Sequence, residues 1–67
     1  MNVTELKIAM IRKGMNQKAL AKAAGIGEAN LSHYIKGQRR MSLPTVSKIA
    51  KALDLTDEQI LNIFIKE

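Results

Sequence analysis

The 67-residue chain has no cysteine and no tryptophan, a single proline, a single histidine and two aromatic rings, Tyr34 and Phe64. Without cysteine there are no disulfides, no thiolate nucleophile and no Cys-bearing zinc site, a composition suited to a reducing cytoplasm. His33 alone cannot build a histidine metal cage. No apolar run approaches the roughly 20 residues that a spanning helix needs, so neither a membrane span nor a secretory signal is expected. With so few rings, a core must be assembled from Leu, Ile, Met, Val and Ala, which favours closely packed helices. So short a chain fills one core, and a single domain over residues 1–67 is the expectation.

What is present has the balance of a globular protein, with 46% hydrophobic and 25% charged residues, rather than that of a disordered tail. Lys and Arg exceed Asp and Glu by 11 to 6. The excess is localised. Residues 1–53 carry ten Lys and Arg with two acids, Glu5 and Glu28, whereas residues 54–67 carry one Lys with four acids. Clustered base at a sequence pI of about 9.9 is the electrostatic footprint of a polyanion partner. Modest net charge also serves solubility, and composition alone does not choose between the two.

Local signals divide the chain into five helices. Asn2 with Glu5 makes a capping-box-like start to a helix running to about Lys13, and Gly14 permits a left-handed exit. Asn16 caps a second helix over Gln17 to Ala24, which Gly25, Ile26 and Gly27 terminate with an abrupt turn. A third runs from Glu28 to about Lys36 and stops at Gly37. Ser42 caps a fourth through Leu53, with Pro44 tolerated in its first turn. Thr56 and Gln59 form a capping box that opens a last helix from Asp57 toward Lys66. Two-residue alternation is nowhere sustained, so the fold class is all-α. Helical spacing gives inner stripes of Leu20, Ala21 and Ala24, of Leu31, Tyr34 and Ile35, and of Val46, Ile49, Ala50 and Leu53. The opposite stripe of the third helix holds Glu28, Ala29, Ser32, His33 and Lys36.

Over residues 17–36, two helices are joined by three residues, with small Ala21 at their approach and Gly25 at the bend. This is the plan of a helix-turn-helix, which props its second helix outward toward a major groove. Together with Asn16-Gln17, Leu20-Ala21, Leu31, Gly37, the Gln38-Arg39-Arg40 loop and the run from Ile49 to Leu53, the chain resembles the phage repressor and Cro proteins, the Xre-type helix-turn-helix family. The resemblance spans about Leu6 to Leu61 and implies a five-helix, lambda-repressor-like DNA-binding domain. It implies that Asn16, Gln17, Lys36, Arg39 and Arg40 contact the DNA backbone. Gly27, Glu28, Ala29, Ser32 and His33 match the family positions facing base edges, with Asn30 at the margin.

Each assignment has a plainer competitor. Glu28 either accepts from a cytosine amino group or only stabilises a helix start, worth roughly 0.3–1 kcal/mol. Ala29 offers a methyl to thymine or contacts nothing. His33 is a base reader or an exposed neutral ring; Ser32 beside it is no catalytic partner, since adjacent helical positions do not face each other. Arg39 and Arg40 either grip phosphate or are solvated loop charges. With no nucleophile–base pair, phosphate-cradling loop or metal cluster, an enzyme is not expected, nor is a cofactor, a small-molecule ligand or a membrane partner.

Two features depart from the family pattern. Many relatives pair an arginine in the first helix with a glutamate in the third; the matching Met10 and Ile35 are apolar and are expected to touch. Apolar residues are also in excess, with Ile8 and Ile11 off the inner stripe and Ile60, Leu61, Ile63, Phe64 and Ile65 covering most of the last helix. Such a patch usually marks an interface, and a homodimer through Ile60, Ile63, Phe64 and Ile65 is expected. The competing reading wraps the last helix around the first and hides Phe64. The resulting expectation is a cytoplasmic, nucleoid-associated, sequence-specific double-stranded DNA-binding regulator: a small repressor of a phage or mobile element, occluding a palindromic operator. The alternatives are an antitoxin-like protein whose last helix holds a protein partner, and an interaction module that binds no DNA.

Overall fold

The structure is a computed structural model and describes residues 1–65. Five α-helices follow one another: α1 (Val3–Arg12), α2 (Gln17–Ala24), α3 (Glu28–Ile35), α4 (Leu43–Ala52) and α5 (Asp57–Ile60), the last running directly into a π-helical turn, Leu61–Ile65. Among the described residues there is no strand.

The helix starts are set by side chains that supply oxygen to otherwise unpaired first-turn amides. Asn2 Oδ1 accepts from the Glu5 amide and Asn16 Oδ1 from the Ala19 amide. Thr56 and Gln59 complete both halves of a capping box. Two expected caps differ in detail. The Asn2 amide donates to the Ile63 carbonyl at 2.6 Å rather than to Glu5, which pins the start of α1 to the π-helical turn. Ser42 stands at the cap position of α4, but its hydroxyl hydrogen-bonds the Thr45 hydroxyl at 3.0 Å and caps nothing.

The first four helices end in one repeated hydrogen-bond motif. A left-handed residue follows each: Gly14, Gly25, Gly37 and, unusually for a residue with a side chain, Asp54 at φ 55°. The next amide then returns to the carbonyl five residues back: Met15 to Met10, Ile26 to Ala21, Gln38 to His33 and Leu55 to Ala50. With the left-handed residue's own amide returning to the carbonyl of Ile11, Lys22, Tyr34 or Lys51, this double closure occupies two of the last carbonyls of each helix and reverses the chain within three residues. Met15, Ile26 and Leu55 pack against the core immediately after the reversal.

The core draws on every long helix: Leu6, Ala9 and Met10 from α1, Leu20, Ala21 and Ala24 from α2, Leu31 from α3, and Ile49 and Leu53 from α4 and its end, closed by Ile63. Leu6, Leu20, Leu31 and Ile49 are completely buried. α2 packs on both α3 and α4, and α1 packs on the π-helical turn. Met10 is buried and Ile35 is half-buried against the same core, so both apolar replacements face inward.

The last segment corrects the expectation of a regular helix from Asp57 toward Lys66, and its apolar run is divided: Leu61 and Ile65 face out, 47% and 64% exposed. Ile63 is 2% exposed and belongs to the core, and Phe64 packs half-buried against it. A π-helical turn rotates less per residue than an α-turn, which lets these neighbours both face inward. Ile63 is therefore unavailable to a partner, and Phe64 is hidden in part, as the competing reading has it. Lys66, the expected end of this helix, lies outside the described residues.

Gly25 tests the reversal without a packing complication. A Cβ placed there meets nothing within 4 Å, so only its φ of 69° opposes a side chain. Gly25→Ala is expected to cost about 1–2 kcal/mol, read as a lower urea midpoint at unchanged slope.

Candidate nucleic-acid interface

α3 presents the stripe singled out in the sequence. Only Leu31 of this helix is buried, with Tyr34 and Ile35 half-buried beside it. Gly27, Glu28, Ala29, Asn30, His33 and Lys36 are exposed and Ser32 is half-buried. The helix is thus held from one side and offers the other to solvent. Its start has no side-chain cap, because Gly27 supplies none.

The loop after α3 folds back onto this stripe. The αL conformation of Gly37 brings the Gln38 amide to the His33 carbonyl at 2.9 Å. The Gln38 side chain meets the same residue, with Oε1 2.6 Å from Nδ1 of the His33 ring. One position further, the Arg39 guanidinium donates to Asn30 Oδ1 at 3.2 Å. Asn30 and His33 lie three residues apart on one edge of α3, so two bonds stitch that edge to the loop. Arg39 keeps further donors free, since a guanidinium carries five. Arg40 is exposed.

Asn16 and Gln17 stand at the start of α2. The Asn16 side-chain Oδ1 is committed to the Ala19 amide at 2.8 Å, leaving the side-chain nitrogen as a donor, and Gln17 is half-buried. First-turn amides and the helix dipole make such an end attractive to anions. Lys18 and Lys22 are exposed on α2, as are Lys36, Arg39 and Arg40 beyond α3. Among the described residues the one ion pair is Lys13 with Asp54 at 3.8 Å, joining the ends of α1 and α4 rather than engaging these bases. Among the described residues no group of three or more His, Cys, Asp or Glu is placed to hold a metal, and no helix is long and apolar enough to cross a membrane.

Three features escape the sequence reading: the Gln38 contact with His33, the Arg39 contact with Asn30, and Leu43, which is 81% exposed. For Gln38 a signal existed, because it follows its left-handed residue where Met15, Ile26 and Leu55 follow theirs. A polar residue at that apolar position is what marks it.

The family model of the Cro/C1-type HTH DNA-binding domain matches residues 5–65. No curated protein and no solved structure matches the chain.

The cap at Asn16 separates folding from any other role of this residue. Asn16→Ala is expected to cost about 1 kcal/mol of stability, whereas Asn16→Asp, an equally good cap, retains it. Chemical denaturation of the two variants checks this.

Proposed function

The chain belongs to the Cro/C1-type HTH DNA-binding domain family, and from that premise we propose that it is a sequence-specific transcriptional regulator, a small repressor that occludes an operator. The observation that carries this reading is the solvent-open stripe of α3, almost free of charge at its centre, with exposed Lys36, Arg39 and Arg40 directly after it in the chain and exposed Lys18 and Lys22 on the preceding helix. Flanking cations that hold phosphates while uncharged side chains meet base edges is the division of labour that sequence-specific binding needs. In this reading Asn16, Gln17, Lys36, Arg39 and Arg40 grip the backbone. Ala29, Ser32 and His33 read bases, with Gly27 and Glu28 entering at the start of α3 and Asn30 at its edge. The protein works in the cytoplasm, at the nucleoid of a bacterial or phage-infected cell, without cofactor or catalysis.

Two kinds of contact predict two kinds of defect. His33→Ala relaxes preference at one or two base pairs, by about 1–3 kcal/mol there. Arg40→Ala weakens all duplexes alike and lowers the slope of log affinity against log salt by about one. Selection from a random duplex library, followed by titration over a salt series, measures both. A salt-insensitive or absent duplex affinity overturns the regulator reading.

The proposal includes a homodimer on a palindromic operator, but through a surface other than the one first expected. Leu43, Val46, Ala50, Leu55 and Ile60 line an open apolar groove, with Lys51 and Asp54 along it. Opposite charges on one patch suit a two-fold contact, where each Lys51 meets the partner copy's acid. Of the residues first assigned to the interface, Ile60 remains in this groove. Half-sites about one helical turn apart, roughly 34 Å, would let such a dimer set both α3 helices on one face of the duplex. Sedimentation is expected to show a concentration-dependent dimer that Leu43→Asp dissociates; a wild-type monomer at high micromolar concentration counts against the dimer.

A further inference from the structure

The terminal motif shared by four helices has one irregular member, and the irregularity falls on the helix that reads DNA in the proposal above. In α1, α2 and α4 the amide returning to the helix belongs to an apolar residue, Met15, Ile26 or Leu55, and the carbonyl it meets belongs to a buried one, Met10, Ala21 or Ala50. An apolar contact between these two positions commonly accompanies the motif. At the end of α3 the same two positions are Gln38 and His33, both exposed, and the contact between their side chains is a hydrogen bond of 2.6 Å. The backbone bond at 2.9 Å holds the two residues in register, so the side-chain bond is a product of the cap geometry rather than of a chance loop conformation.

The bond has a chemical consequence. The atom of Gln38 that faces the ring is the amide oxygen, which only accepts, so Nδ1 of His33 must carry the hydrogen. In a neutral imidazole the other nitrogen is then a bare acceptor. We infer that Gln38 is a positioning residue that locks His33 in its Nδ1–H form and thereby makes its free Nε2 select an amino-bearing base edge. In the major groove those edges are the N6 amino group of adenine and the N4 amino group of cytosine; guanine and thymine offer acceptors at the corresponding places. The inference rests on the regulator reading for its DNA consequence. Its tautomer half rests on the chain alone.

Long-range proton–nitrogen correlation spectra of the 15N-labelled free protein, taken where the ring is neutral, read the tautomer directly. The wild type is expected to show a protonated Nδ1 and an unprotonated Nε2. Gln38→Ala moves the ring toward the Nε2–H form, and Gln38→Glu, which keeps an acceptor in place, restores Nδ1–H. In duplex competition at the base pair relaxed by His33→Ala, the wild type prefers the amino-bearing base by roughly three- to tenfold, the worth of one hydrogen bond. Gln38→Ala removes that preference and leaves other positions unchanged. Gln38→Glu keeps the preference while its negative charge weakens binding to all sequences. A wild-type ring protonated on Nε2 overturns the inference whatever the DNA result. So does a preference that Gln38→Ala leaves intact, or one for guanine. If no duplex binds at all, the regulator reading and the base choice fall together, while the spectra still decide the tautomer.

Discussion

α3 is joined to the body of the protein by very little. Its single fully buried side chain is Leu31, and the half-buried Tyr34 and Ile35 complete the attachment on the same side. A helix of eight residues has too few turns to be stable by itself, so the burial of Leu31 among residues of the other helices is what makes it a helix at all. The arrangement has a geometric result. With the inner stripe reduced to three positions, most of the surface of α3 is left to solvent, and among the described residues only Gln38 and Arg39 of the following loop hydrogen-bond its outer edge through their side chains. A more deeply buried α3 would be better anchored and would have less to present.

The same economy shows in how the helices are connected. Four successive chain reversals use one hydrogen-bond pattern with a left-handed residue at its centre. Three of those residues are glycines, for which the conformation carries no steric penalty; Asp54 is tolerated because short polar side chains visit this region at modest cost. After α1, α2 and α4 the reversal drops an apolar side chain onto the core, which adds burial to the cap. After α3 it brings Gln38 onto His33 at the surface instead. One backbone device therefore serves packing in three places and side-chain orientation in the fourth.

Much of this was legible in the sequence, for reasons that are local. Asn16 before Gln17, the Thr56–Gln59 box and the glycines at 14, 25 and 37 act within a turn of their own position; the first four helices begin and end, and α5 begins, within a residue or two of where the local signals place them. The same holds for the exposed stripe of α3, which follows from the spacing of Leu31, Tyr34 and Ile35. What the sequence hid depends on distant partners. Nothing near Asn2 announces that its amide goes to the Ile63 carbonyl, 61 residues away in the chain, and that bond accompanies the widened turn that draws Ile63 inward. An apolar run without a clear stripe, such as Ile63 to Ile65, does not say which of its members is covered. Ser42 illustrates the opposite failure: a good cap residue stands at the right place, yet a nearby hydroxyl, that of Thr45, takes its hydrogen bond.

The loop after α3 joins two tasks that are often assigned to separate residues. Gln38 bonds His33 and Arg39 bonds Asn30, so adjacent loop residues each hold a different position of the exposed helix edge. On the proposed reading Arg39 also meets phosphate with its remaining donors, and the backbone grip is then rigidly tied to side chains that face bases. A guanidinium that is already oriented loses less freedom on binding than one that waves in solvent. The tie also runs the other way, because a phosphate that draws Arg39 toward itself pulls on Asn30, whose amide nitrogen lies next to Gly27 at the start of α3. On that reading backbone fit and base fit are not independent along this edge, because the loop that carries the charge also holds Asn30 and His33.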